Sequence, residues 1–100
     1  MVKYKEFQEW LKKNGKKAGT ISSLCSKIRK IESAYDIEAE YAKDKCADLL
    51  YDFTYTEIEY DVGILPRVKL QMEETEAVQI LAQLKSALKT YVKFLDECSE

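Results

Sequence analysis

Few side chains in this sequence have the type and spacing that catalysis requires. The chain has no histidine, which excludes Ser-His and Cys-His nucleophile systems, histidine-ligated zinc and imidazole acid-base chemistry. Its cysteines, Cys25, Cys46 and Cys98, form no CxxC pair, and its three glycines form neither a GxGxxG motif nor a P-loop. The acids Glu57 and Glu59 are two residues apart and do not face each other on a helix. We therefore expect a protein that is not an enzyme and has no metal or cofactor.

The strongest chemical signal is the run KKNGKKAGTISSLCSKIRKI, residues 12–31, which holds seven lysines or arginines and no acid. Phosphate groups of a nucleic-acid backbone accept hydrogen bonds from lysine, arginine, serine and threonine side chains and from helix N-terminal amides. The run contains all of these donors. It predicts a phosphate-binding surface, the solvated side of a helical hairpin, or a surface that packs against another protein.

The charge of the chain is segregated, although the formal net charge is only −2. Residues 1–31 hold nine basic groups against two acidic ones, a net charge of +7, whereas residues 32–61 hold two basic against ten acidic groups, a net charge of −8. A basic surface steers a protein toward polyanions even when the total charge is slightly negative. The net charge therefore does not exclude DNA as a partner.

Composition predicts a single helical domain over residues 1–100. Apolar residues make up 46% and charged residues 34% of the chain, with three glycines and one proline, which is typical of a compact helical domain. The sequence lacks the roughly 18 consecutive apolar residues of a membrane span, and its start, MVKYKEFQEW, is too polar for a signal peptide. An odd number of cysteines argues against a disulfide framework. We expect a cytoplasmic protein with reduced thiols, no membrane contact and no small-molecule substrate.

Apolar periodicity predicts three clear helices, over about residues 3–14, 20–33 and 75–97. Gly15 supplies a left-handed stop to the first, while Thr20 and Thr75 are the expected N-caps of the other two. The apolar stripe of the first helix is Tyr4, Phe7, Trp10 and Leu11. That of the second is Ile21, Leu24, Cys25, Ile28 and Ile31. That of the last is Val78, Leu81, Leu84, Leu88, Tyr91, Val92 and Leu95.

The middle of the chain is less regular. Residues 34–43 are predicted to form a loop with a short turn, residues 44–53 a helix, and residues 56–62 a short helix or an extended connection. Gly63 and Pro66 end any helix before the last segment. The predicted fold class is all-α, a single bundle of four or five helices.

The outer face of the second helix is unusual in composition. At about 100° per residue, an inward apolar stripe turns Ser22, Ser23, Ser26 and Lys30 outward, with Lys27 and Arg29 on the flanks. Serine is a weaker helix former than lysine, glutamate or alanine, so helix propensity does not explain three serines on one exposed face. Small hydroxyl side chains allow another surface to approach closely.

These segments resemble a known family. YKEFQEWLKKNGKKAGTISSLCSKIRKIE, an irregular acidic middle and LKSALKTYVKFLDE follow each other as in the SAM-like N-terminal (core-binding) helical domain of phage-integrase-type tyrosine recombinases. Similar helical modules are attached to some restriction-type nucleases. The resemblance covers about half of the chain and rests on F-x-x-W-L, K-x-x-G-T-I-x-S and A-L-x-x-Y-x-x-F-L. It implies a SAM-like bundle of four or five helices that clamps DNA mainly through the phosphate backbone.

The resemblance also implies which residues contact DNA: Lys17, Thr20, Ser22, Ser23, Ser26, Lys27 and Lys30. An aromatic residue commonly follows the T-I-x-S pattern in the family, and Leu24 stands there in this chain. The catalytic domain of the recombinases has no counterpart among these residues. Because Tyr91 lies on the inward stripe, we expect it in the core and not as a nucleophile. The expected function is that of a small non-catalytic DNA-binding module.

The acidic segment 35–61 offers an alternative function. Five tyrosines lie in it among the acids: Tyr35, Tyr41, Tyr51, Tyr55 and Tyr60. Exposed aromatic side chains occur in protein interfaces and in surfaces that imitate nucleic acid. A protein-interaction module or a mobile-element inhibitor would bind a basic partner with them. In the competing interpretation several of these rings cover the core, so low exposure across the segment would remove the main support for the alternative.

Overall fold

The computed structural model describes residues 3–70 and 72–98. It contains six helices: α1 Tyr4–Lys13, α2 Ala18–Glu32, α3 Ile37–Asp44, α4 Ala47–Asp52, α5 Glu57–Asp61 and α6 Glu74–Cys98. None of the described residues lies in a β-strand. The predicted all-α bundle is therefore confirmed, with six helices where the periodicity indicated four or five.

The main core lies where α1, α2 and α6 pack against one another. Their contact surfaces include the predicted apolar stripes, because side chains three and four residues apart share one face of a helix. Helix α6 also buries Phe94, Ala77 and Ala87, which were not part of its predicted stripe. The ring of Phe7 on α1 meets Tyr91 edge-on at 5.0 Å between centroids and lies 5.3 Å from Phe94. Trp10 covers the same cluster, 5.7 Å from the Phe94 ring. Aromatic contacts of this geometry are each worth about 0.5–1.5 kcal/mol beyond the area they bury.

Tyr91 is fully buried, as predicted for a core residue. Its hydroxyl oxygen accepts a hydrogen bond from the backbone N–H of Lys3 at 3.1 Å. Burial raises the pKa of Tyr91 to about 12, although the Lys3 N–H acts in the opposite direction. The phenol is thus a neutral structural group that ties the start of α1 to the middle of α6.

A helix, α3, occupies most of the segment predicted as a loop at 34–43, so that prediction was wrong. The side chain of Asp36 caps α3 by accepting a hydrogen bond from Ala39 N at 3.1 Å. Glu32 Oε2 accepts a second one from Ile37 N at 3.1 Å. Ile37 is the only residue of α3 that is buried. A helix held by capping and a single buried side chain leaves no apolar stripe in the sequence.

The helix predicted at 44–53 is interrupted near its start. Lys45 and Cys46 have φ values of 56° and 66°, in the left-handed region that ends α3. Lys45 N donates to Tyr41 O at 2.8 Å and Cys46 N to Glu40 O at 3.2 Å. Asp44 then restarts the helix, because its carboxylate accepts from the amides of both residues that open α4, at 3.1 Å each. This break buries Cys46 completely.

Both predicted threonine caps were wrong. Helix α2 begins at Ala18, and α6 begins at Glu74, so Thr20 and Thr75 each lie within the first turn. A cap contributes only about 1 kcal/mol, and backbone hydrogen bonds such as Ile21 N to Lys17 O, 3.0 Å, extend α2 toward the preceding corner. A threonine cap does form at α5, where Thr56 makes a complete capping box with Glu59.

Candidate nucleic-acid interface

A short corner joins α1 and α2, and it carries four lysines: Lys12, Lys13, Lys16 and Lys17. We call these residues the basic corner. Gly15, at φ 80°, ends α1 as predicted. Gly15 N donates to Lys12 O at 3.1 Å and Lys16 N to Leu11 O at 3.0 Å, the two hydrogen bonds of a Schellman motif. The corner therefore has a defined backbone, and all four lysine side chains are exposed.

The N-terminus of α2 follows directly after the basic corner. No described side chain caps it, and its first turn contains no acid. The helix macrodipole places a partial positive charge at this end. The field of the helix and the charges of the neighbouring lysines therefore have the same sign.

The serine face, which we define as Ser22, Ser23, Ser26 and Lys30, is exposed to solvent along α2. Thr20 and Lys17 are exposed as well, whereas Lys27 is partly buried. Lys27 Nζ donates a hydrogen bond to Ser23 Oγ at 2.8 Å. Ser22 and Lys27 flank the face on opposite sides, roughly 140° apart around the helix. Ser22, Ser23, Ser26, Lys27 and Lys30 thus share one broad surface of α2, with Ser26 and Lys30 at its centre. Lys17 and Thr20 lie before this surface, at the N-cap and in the first turn of the helix.

A groove between α1 and α2 adds two cations that the set of predicted contact residues omits. It is lined by Gln8, Lys12, Ser22 and Arg29, and the buried Cys25 lies beneath. The guanidinium group of Arg29 lies 5.0 Å from the centre of the Tyr4 ring. The helical angle of Arg29, on the flank beside Ser22, is the signal that could have placed it here. The groove widens the basic surface toward α1.

The ion pairs formed between described residues all lie outside this surface. Lys43 lies 3.3 Å from Glu40, Lys45 lies 3.8 Å from Asp96, and Arg67 pairs with Glu59. Among the described residues, by contrast, no carboxylate lies within ion-pair distance of the lysines of the basic corner, of Lys27 or of Lys30. Their charge is therefore not neutralised within the described part of the protein.

The five tyrosines of the alternative interface do not share one environment. Tyr55 is buried, with its hydroxyl donating to Ile64 O, and Tyr35 and Tyr41 are partly buried. Tyr51 is 62% exposed and Tyr60 37% exposed. Tyr35 and Tyr51 line one groove, while Tyr41 lines another. Of the five, Tyr51 and Tyr60 are therefore the tyrosines whose exposure suits a protein interface.

No described helix is long and apolar enough to cross a membrane. Within residues 3–70 and 72–98, no group of three or more acids or cysteines is arranged to hold a metal ion. Comparisons of the chain with protein-family models, with curated proteins and with solved structures find no match. The resemblance to the core-binding domain of tyrosine recombinases therefore stays a prediction.

Proposed function

We propose that the protein is a small non-catalytic DNA-binding module that grips the phosphate backbone with the basic corner and the serine face of α2. The observation that carries this proposal is the density of unpaired cations in the basic corner and α2. Seven basic side chains lie within residues 12–31, and among the described residues none of them forms an ion pair with a carboxylate. An exposed set of unpaired cations beside hydroxyl donors suits a chain of phosphates.

DNA should bind the basic side of the protein. Residues 1–31 carry a net charge of +7 and residues 32–61 one of −8, so the acidic segment repels DNA. Phosphate contacts position a protein on DNA but do not read its sequence. We therefore expect weak sequence preference, as the resemblance to a SAM-like core-binding domain also implies.

The three free cysteines suit the reducing cytoplasm, and the resemblance suggests a mobile element as the genetic source.

The test is the salt dependence of binding to an unspecific DNA duplex, measured by fluorescence anisotropy. The logarithm of the binding constant should fall linearly with the logarithm of salt concentration, by roughly 0.9 per phosphate contact. The double variant Lys27→Ala/Lys30→Ala should lower the magnitude of that slope by about 2. The matched control is Lys89→Ala/Lys93→Ala, two exposed lysines on α6, which should leave the slope unchanged.

Three results would overturn the proposal. These are no binding at low salt, binding that does not respond to salt, and an equal loss of slope in the α6 control. Circular dichroism of each variant verifies that its fold is intact.

A second candidate is protein interaction through the acidic segment 35–61. The exposure of Tyr51 and Tyr60 favours it. The burial of Tyr55 weakens it, because this ring is not available to a partner. Replacing both exposed tyrosines by serine should abolish binding to a basic protein and leave DNA affinity unchanged. DNA binding that depends on these tyrosines would contradict the separation of the two surfaces.

A further inference from the structure

All the large apolar side chains that are strongly exposed among the described residues lie between Tyr51 and Leu65. Four of them are aliphatic and follow one another around the end of α5: Ile58, Val62, Ile64 and Leu65. They are 75%, 67%, 46% and 66% exposed, respectively, and we call them the apolar patch. Neither the DNA-binding proposal nor the tyrosine interface uses them. Clustered aliphatic exposure of this kind typically marks an interaction surface.

The backbone under the apolar patch is held in place at both ends. The Thr56–Glu59 capping box opens α5. Gly63, at φ 83°, closes it, with Gly63 N donating to Tyr60 O at 3.1 Å and Ile64 N to Glu59 O at 2.9 Å. These two bonds form a complete Schellman motif, which turns the chain back beside the helix.

Two side chains anchor this turn to the rest of the bundle. The Tyr55 hydroxyl donates to Ile64 O. Arg67 donates to Thr54 O at 2.8 Å and pairs with Glu59. The helix so held is only five residues long and buries none of its own side chains, although short helices are ordinarily stabilised by tertiary packing of an apolar face. The fold thus fixes a helix whose aliphatic side chains point away from the core.

The charge around the patch decides which partner fits. Glu57 and Asp61 are exposed on α5, and within the described residues neither pairs with a cation. Arg67, which is anchored to this helix, already pairs with Glu59. A second copy of the chain, packed by a two-fold axis, would bring the same acids against each other. A phosphate-rich surface is repelled for the same reason.

We propose that the apolar patch docks an amphipathic segment of another protein that is apolar on one face and bears lysines or arginines on its flanks. The segment buries its apolar face on Ile58, Val62 and Leu65, and its cations meet Glu57 and Asp61. An amphipathic helix can bind in this way by laying its apolar face on an apolar surface, while charge complementarity sets its orientation and its rate of association. The proposal does not depend on DNA binding.

The probe is a synthetic leucine-lysine peptide with leucines at helical spacing, added to the isotope-labelled full chain and followed by chemical-shift changes. Shifts should centre on residues 57–65. Ile58→Ser/Val62→Ser should weaken the affinity at least about tenfold, because serine buries much less apolar area against the peptide than isoleucine or valine. Glu57→Lys/Asp61→Lys should weaken it at low salt, with the loss fading as salt rises. Lys27→Ala/Lys30→Ala, on the opposite charge region, is the control and should bind the peptide normally.

Other outcomes overturn the proposal. One is equal binding of either control peptide: the same composition in scrambled order, or the same sequence with glutamate in place of lysine. Another is a set of shifts that spreads over the protein or centres on α1 and α2. A dimer seen by sedimentation that Ile58→Ser/Val62→Ser abolishes would make a second copy the occupant. Because Ile58 and Val62 are exposed, these variants should keep the native spectrum, which the same experiment verifies.

Discussion

At position 45 glycine should be more stabilising than alanine, although glycine usually weakens a helical protein relative to alanine. Lys45 has φ 56° and is followed by a second left-handed residue, Cys46. The left-handed conformation costs a residue with a Cβ atom about 1–2 kcal/mol, and glycine avoids this cost. Glycine also gains about 0.4–1 kcal/mol of entropy in the unfolded chain, which opposes the effect. The difference leaves Lys45→Gly more stable than Lys45→Ala by about 1 kcal/mol.

Comparison with Lys45→Ala isolates the backbone effect. Both variants lose the exposed lysine and its ion pair with Asp96, 3.8 Å long, so that loss cancels. The control site is Ala42, which is exposed on α3 in helical conformation. There the same exchange of alanine for glycine should cost about 1 kcal/mol. The preference of glycine over alanine should therefore change sign within three residues.

Thermal unfolding followed by far-ultraviolet circular dichroism measures both effects. For a domain of this size, 1 kcal/mol corresponds to about 4–8 °C in the midpoint temperature. We expect Lys45→Gly to melt above Lys45→Ala by about that amount and Ala42→Gly to melt below the unchanged protein. A Lys45→Gly variant that melts below Lys45→Ala would refute the left-handed geometry and with it the break between α3 and α4.

Two further predictions concern buried titratable groups. Burial, with help from Glu40 and Asp44, raises the pKa of Cys46 to about 12, while the unfolded thiol ionises near 9.0. The stability contributed by this neutral thiol is therefore complete below about pH 9 and lost as the pH rises toward 12. Urea titrations over this range should show the free energy of unfolding falling with pH, and falling less steeply in Cys46→Ala. Tyr91→Phe removes the acceptor of the Lys3 amide at 3.1 Å and should cost about 1 kcal/mol at neutral pH, measured as a lower urea midpoint; an unchanged midpoint would mean that this hydrogen bond contributes nothing.

The helices that form the main core could be predicted from the sequence because their pattern and their packing coincide. In α2, every member of the predicted stripe is buried except Leu24, which is partly buried. Tyr91 was correctly placed in the core for the same reason. Burial of several large side chains outweighs any local preference at the helix ends. The threonine caps, at about 1 kcal/mol each, were too weak a signal to locate those ends.

The middle of the chain followed rules that periodicity does not reveal. Helix α3 buries only Ile37, and the following break uses a lysine and a cysteine where a glycine would be the usual sign. By contrast, Thr56 and Gly63 have the residue types expected at helix ends, and α5 was predicted as one of two alternatives. A helix end can be predicted from sequence where it uses the usual residue types. It cannot where tertiary packing holds other residues, such as Lys45 and Cys46, in the left-handed conformation.

The candidate site was predictable as an outer helix face but not as a charge arrangement. Helical angles were sufficient to place Ser26 and Lys30 outward. Which cations are paired depends on contacts across the fold, such as that of Lys45 with Asp96, and these are invisible in sequence. The apolar patch was missed because Ile58 and Val62 look like any other apolar residues until their exposure is known.

The packing of α1 against α6 also sets when the protein folds during its synthesis. Phe7 is enclosed by Tyr91 and Phe94, which are synthesised long after Phe7. At about 5–20 residues per second, residues 33–98 take roughly 3–13 s to synthesise. For that time the apolar faces of α1 and α2 lack the helix that covers them, and the growing chain presents them to the ribosome surface and to chaperones. The core around α1 and α2 is therefore completed only after α6 has been translated.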